Sequence, residues 1–223
     1  MILENHELAK MLDHTLLGQD INKNQVINKC NEAKEYGFYS VFTVPYYVKT
    51  MVDELKGSNV KVGTVVGFPL GNTNTESKVQ EAIKALKDGA EELDMVVNIS
   101  ALKDHDTDYI FKDINEIVKL KEKFDQDFIL KVIIESCLLD PEVIEEVNKL
   151  VYEAGADYIK TSTGFAESGA SLEVVKLLAD LNTDNDLKVK ASGGIRTKED
   201  ALAMIKAGAD RIGVSSGVQI INS

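Results

Sequence analysis

The sequence predicts an α/β fold, a closed (β/α)8 TIM barrel with a short N-terminal helix before the first strand. Three observations carry this. Short apolar runs rich in β-branched residues alternate eight times with longer amphipathic stretches. A glycine that ends a helix and opens a strand recurs at Gly37, Gly89, Gly155 and Gly208, marking every second βα unit. Eight units in 223 residues leave about 28 residues each, close to the length such barrels need.

The strands are expected at 11–15, 39–44, 60–66, 92–97, 128–135, 157–160, 187–191 and 211–214. Runs such as VGTVV (62–66) and ILKVII (129–134) are apolar almost throughout, as strands buried on both faces must be. Helices are expected at 4–10 and then at 23–36, 46–55, 75–87, 109–124, 141–153, 172–180 and 198–206. In the sixth, Val143, Ile144, Val147, Leu150 and Val151 recur at helical spacing. Asp140 before Pro141 reads as a helix cap followed by a proline at the first helical position. The last helix can only be short, because few residues follow Ser215. No linker or low-complexity segment divides the chain, so residues 1–223 are read as one catalytic domain. A flavodoxin-like or Rossmann sheet is the competing fold, but no G-x-G-x-x-G loop is present.

Composition narrows the function. The formal net charge of −12 opposes nonspecific nucleic-acid binding, which needs clustered Lys and Arg. No apolar run is long enough to span a membrane, and the N-terminus lacks the pattern of a signal peptide. Cys30 and Cys137 form no C-x-x-C pair and read as reduced thiols of a cytoplasmic protein. His6, His14 and His105 share no ligand spacing, so no metal site is expected. The acidic stretch 104–108 lacks the length and closing Glu of a calcium loop. The loop GFPLGN (67–72) is no phosphate-binding P-loop and reads as a shaped substrate loop or a plain turn.

Barrels of this kind carry their chemistry where strands end. Those ends offer Asp13 to Thr15, then Lys131 and Glu135, then Lys160 and Lys190 on adjacent strands. Two ammonium groups about 5 Å apart repel by roughly 3 kcal/mol at an effective dielectric near 20, worth about two pKa units. An amine so activated attacks a carbonyl to form a Schiff base. The plainer alternative is that one lysine turns outward or pairs with a carboxylate. Asp94, inside an apolar strand, needs a partner, and it suits either an ion pair with Lys190 or a proton shuttle. Gly193 and Gly194 at the end of the seventh strand, with Gly213, Ser215 and Ser216 at the end of the eighth, offer backbone N–H groups and hydroxyls to an anion. Gly164 and Arg196 can join them. Tight turns alone would also explain these glycines.

Taken together, the motifs resemble the deoxyribose-phosphate aldolase family. They are LDHT (12–15), GFPLG (67–71), ELDMVV (92–97), LKVIIE (130–135), KTSTG (160–164), KASGGIR (190–196) and GVSSG (213–217), in family order from about residue 8 onward. The resemblance implies a cofactor-free, metal-independent class I aldolase on a (β/α)8 barrel. It implies reversible cleavage of 2-deoxy-D-ribose 5-phosphate to acetaldehyde and D-glyceraldehyde 3-phosphate. By motif position Lys160 matches the Schiff-base lysine, Lys190 the second lysine and Asp94 the acid–base partner. Gly164, Gly193, Gly194, Gly213, Ser215 and Ser216 match the phosphate site. The choice of Lys160 over Lys190 as nucleophile comes from the resemblance alone. Departures occur at VFTVP (41–45), where the family often has Cys and Asn, and at Phe165, where some members have lysine. The short C-terminus is another. The competing functions are a different phosphosugar barrel enzyme, isomerase or transaldolase-like, and a noncatalytic phosphosugar-binding protein. A homo-oligomer is left open.

Overall fold

A computed structural model describes residues 3–124 and 127–223. Eight parallel strands pair in sequence order and β1 (Leu12–Leu16) closes on β8 (Arg211–Val214), giving the expected barrel. Between them run β2 (Ser40–Thr43), β3 (Lys61–Val66), β4 (Glu92–Val96), β5 (Ile129–Ile133), β6 (Tyr158–Lys160) and β7 (Lys188–Ser192).

A short helix α1 (Asn5–Ala9) precedes the barrel, its first turn closed by reciprocal bonds between Glu4 and Glu7. The outer layer continues with α2 (Lys23–Tyr36), α3 (Val48–Leu55), α4 (Thr75–Lys87), α5 (Ile99–Lys103), α6 (Thr107–Val118), α7 (Pro141–Glu153), α8 (Leu172–Leu181), α9 (Lys198–Lys206) and α10 (Gly217–Asn222). Gly37, Gly89, Gly155 and Gly208 all have positive φ at or just past a helix end, as the recurring glycine predicted. Between strands and helices lies one continuous apolar shell, for example Leu93, Val132 and Ile159 against Val147, Val175 and Leu178. At about 25 cal/mol per Å2 of buried apolar surface, this shell is the main driving force for closure.

Several boundaries differ from the sequence reading. Strand β1 sits one residue later than expected, and β5 ends before Ile134 and Glu135. Glu135 instead takes a left-handed conformation, φ 47°, and opens a 3-10 turn. The helix expected at 109–124 starts earlier, at Thr107, and passes into a 3-10 turn at Lys119–Glu122. Helix α5 was not anticipated: five residues are too few to display a 3.6-residue period. Pro141 does begin α7, but Asp140 makes no side-chain cap bond. Among the described residues, no helix is long and apolar enough to cross a membrane.

Candidate active site

In a parallel barrel, residues in register on alternate strands fill the interior in layers of four. Here the register puts Ser40, Glu92, Tyr158 and Arg211 lowest, then Asp13, Gly63, Lys131 and Lys190. Above them stand Phe42, Asp94, Lys160 and Gly213. Barrels of this type usually fill these positions with Val, Ile and Leu. This one fills them with charge: the carboxylates of Asp13, Glu92 and Asp94 against the cations of Lys131, Lys160, Lys190 and Arg211, all buried.

The three expected catalytic residues meet at one oxygen. Asp94 Oδ2 accepts from Lys160 Nζ at 2.8 Å and from Lys190 Nζ at 2.7 Å. Its other oxygen accepts from Lys131 Nζ at 3.0 Å. Both lysines therefore point inward, and neither turns to solvent. The sequence reading did not assemble the support beneath them. Asp13 lies 2.5 Å from Lys190 Nζ, and its second oxygen accepts from Arg211 at 2.8 Å and from Ser40 Oγ at 2.6 Å. Glu92 accepts from Lys131 at 2.6 Å and lies 3.5 Å from Arg211. The available signal was ionisable residues at inward positions of otherwise apolar strands, as in Glu92-Leu93-Asp94.

These contacts divide the titrating groups. Burial alone would raise the Asp94 carboxyl, but Lys131, Lys160 and Lys190 outweigh it and hold the acid well below the usual carboxylate range. Asp13 is held low in the same way by Lys190, Lys131 and Arg211. Lys131 is buried too, yet the carboxylates of Asp94, Glu92 and Asp13 hold it above the ordinary lysine value. Lys160 goes the other way. Burial is the largest cause, the charge of Lys190 adds to it, and Asp94 only partly opposes them, so the amine falls to about 8. The sequence reading gave the leading part to the neighbouring cation; burial takes it instead. At pH 7 about one Lys160 in ten is then a free amine, against about one in three thousand for an ordinary lysine. Charge counting gives the same result: three carboxylates balance three cations, and the fourth proton is in excess.

Gly213 is required by close approach. A Cβ there would lie 2.8 Å from Ser192 Cβ and 3.2 Å from Lys190 Cε, in the path Lys190 takes to Asp94. Gly193, at φ 84°, sits where a Cβ would be 2.9 Å from Gly169 Cα, so the loops after β6 and β7 pack backbone to backbone. Ala170 N–H donates to the Ser192 and Gly193 carbonyls across that junction, at 3.0 and 3.1 Å. Glu135 accepts from the backbone N–H of Thr163 at 3.1 Å and from its hydroxyl, fixing the loop after β6 from the other side.

Above Lys160 a cavity of about 370 Å3 opens at the strands' C-terminal ends. Gly164, Gly193, Gly194, Gly213 and Ser215 line it, with Arg196 and Phe165 at its wall. Ser216, expected with them, does not line this cavity. It stands at the N-cap position of α10 without a side-chain cap bond, and it lines a separate hollow beside His14 and Lys29. A larger hollow of about 800 Å3, lined by Asp157, Lys188 and Asp210, lies at the opposite end of the barrel, away from the Asp94 cluster. Among the described residues no three His, Cys, Asp or Glu side chains gather as a metal-holding group.

Residues 8–223 match the model of the DeoC/LacD family aldolases. The chain is 51% identical over 220 residues to a deoxyribose-phosphate aldolase of Dictyoglomus turgidum, covering 99% of this chain and 98% of that protein. It is 52% identical to one from Clostridium kluyveri, covering 99% of both. The solved tetrameric deoxyribose phosphate aldolase of Aeropyrum pernix superposes with a TM-score of 0.91 at 36% identity, covering 99% of this chain and 92% of that one. The chain belongs to the DeoC/LacD family of aldolases.

Proposed function

We propose that this chain, acting as one catalytic unit over residues 1–223, is a class I aldolase that reversibly cleaves 2-deoxy-D-ribose 5-phosphate to acetaldehyde and D-glyceraldehyde 3-phosphate. The observation that carries the reading is the shared Asp94 oxygen. It brings the partly neutral Lys160 amine and the Lys190 amine to one acceptor under the cavity floor.

In the cleavage direction, neutral Lys160 attacks C1 of the open-chain aldehyde. The carbinolamine loses water to give an iminium, with the leaving hydroxyl taking a proton. A base then removes the C3 hydroxyl proton, and the C2–C3 bond breaks. The pair from that bond moves into the iminium, forming an enamine, while C3 becomes the aldehyde of glyceraldehyde 3-phosphate. Protonation of the enamine at C2 and addition of water release acetaldehyde and regenerate the amine. The iminium is the electron sink for bond cleavage.

Asp94 suits the proton transfers. Its Oδ2 touches the reacting amine and Lys190 at once, so it can pass a proton between them as carbinolamine forms and collapses. Lys190 keeps the cationic partner that favours a neutral Lys160. The phosphate is held by the N–H groups and hydroxyls around Gly164, Gly193, Gly194, Gly213 and Ser215, with Arg196 as the nearby cation. These loops must reverse the negative field of a chain with net charge −12.

The test is incubation with acetaldehyde and borohydride followed by peptide mapping. The reading expects an ethyl group on Lys160 and unchanged turnover with EDTA. An active enzyme with Lys160 unmodified would refute it. A protein that only bound phosphosugar would retain the ligand and release no acetaldehyde.

A further inference from the structure

Three of the four cations inside the barrel face an aromatic ring. Lys190 Nζ lies 4.1 Å from the centroid of Phe42 and Lys131 Nζ 4.4 Å from the same ring. Arg211 stacks on Tyr39 at 3.4 Å. Among the described residues, Lys160 has no such ring. The carboxylate contacts follow the same division. Lys131 lies within ion-pair distance of Asp94, Glu92 and Asp13, and Lys190 and Arg211 each reach two carboxylates. Among the described residues, Lys160 reaches only Asp94.

Space for the Phe42 ring comes from a missing side chain. A Cβ on Gly63 would lie 2.3 Å from Phe42 Cζ and 2.4 Å from Cε2. The ring therefore packs against Gly63, buried, in the same layer as Asp94 and Lys160. The negative face of an aromatic ring attracts a cation, most strongly where water is excluded. That attraction acts on the charged form of an amine only.

We infer that Phe42 is a positioning residue for imine formation: its ring holds the Lys131 and Lys190 ammonium groups against one wall of the barrel, so that the surplus proton leaves from Lys160 and from no other amine. This rests on the imine-forming role proposed for Lys160. The charged groups facing Lys160 are Asp94 from β4, Lys131 from β5 and Lys190 from β7, and the ring touches two of those three. Weakening the ring's attraction favours proton loss from Lys190, which leaves Lys160 charged and unreactive.

The experiment is reductive methylation with formaldehyde and cyanoborohydride across pH, mapped at Lys131, Lys160 and Lys190. It compares wild type, Phe42→Leu, and protein carrying 3,5-difluorophenylalanine at position 42. The fluorinated ring keeps nearly the same volume and excludes water equally, but its face is less negative. The labelling midpoint of Lys160 is expected to move upward by about one pH unit in Phe42→Leu and about half a unit in the fluorinated protein. If Phe42→Leu fails to fold, the fluorinated protein carries the test alone. A fluorinated protein whose Lys160 midpoint matches wild type would overturn the inference and leave Phe42 as filler. Formaldehyde reports the amine whatever reaction it serves, so absence of the acetaldehyde adduct in wild type would sink the aldolase reading without clouding this result.

Discussion

The lower and upper layers of the barrel interior use the same residue types to opposite effect. Below, Arg211 and Lys131 each meet at least two carboxylates, and both are held above their ordinary values despite burial. Above, Lys160 shares a single carboxylate oxygen with a second lysine and sits under the cavity. Its charged form has lost water without gaining enough in exchange. The difference teaches that the reactivity of a buried amine depends on how many partners compensate its desolvation. The lower layer also serves the upper one. By pairing with Asp13, Arg211 and Ser40 fix the carboxylate that holds Lys190 in place.

The sharpest break in this comparison is Lys160→Ala. It removes the nucleophile and leaves the lower network intact. Turnover of 2-deoxyribose 5-phosphate should fall at least roughly 10^4-fold, with the fold retained by circular dichroism. A variant that kept substantial activity would show that another amine forms the imine.

Asp94→Asn comes next. It leaves four cations over two carboxylates, so the Lys160 midpoint should drop below about 8 in a pH series of adduct trapping. The rate should still fall, by about 10^2- to 10^4-fold, because the proton carrier is gone. A faster enzyme at pH 7 would mean that Asp94 only restrains the amine.

Lys190→Leu reverses the sign. It leaves three carboxylates for three cations and removes the charge that disfavours a protonated Lys160. The folded-state midpoint should rise by one to two units, and activity at pH 7 should fall about 10- to 100-fold and recover partly toward pH 9. An unchanged pH profile in an active variant would remove electrostatic coupling from the account.

The smallest of these effects belongs to Gly213→Ala. Its Cβ would press on Ser192 and on Lys190 Cε, displacing the lysine by a few tenths of an ångström. A roughly tenfold loss in kcat with little change in protein stability is expected. Equal losses in both would mark Gly213 as a packing position.

Much of this is legible in the amino-acid sequence. Apolar β-branched runs gave all eight strands, and the recurring glycines at helix ends gave their spacing. Lys160 and Lys190 stood out because they end adjacent apolar strands, and Asp94 because charge inside an apolar strand is costly. What one chain could not supply was register. Asp13 and Lys131 were visible as strand residues, but only lateral pairing shows that they share a layer with Lys190. Glu92 and Arg211 open their strands, and without register nothing says whether such residues face the barrel interior or the solvent. Phe42 read only as a departure from family pattern, since nothing local says that Gly63 on the next strand makes room for its ring. Ser216 illustrates the converse. Its motif placed it beside Ser215, yet at the N-cap position of α10 it lines the hollow beside His14 and not the cavity above Lys160.

The central claim is tested most directly by the pH dependence of the rate at which acetaldehyde is trapped on Lys160 by borohydride, with the adduct quantified by mass spectrometry. A midpoint near 8 is predicted, so that trapping at pH 7 runs at about a tenth of its alkaline limit. A rate still climbing steeply beyond pH 10 would show that this lysine titrates like any exposed one, and the charge-surplus account would be wrong.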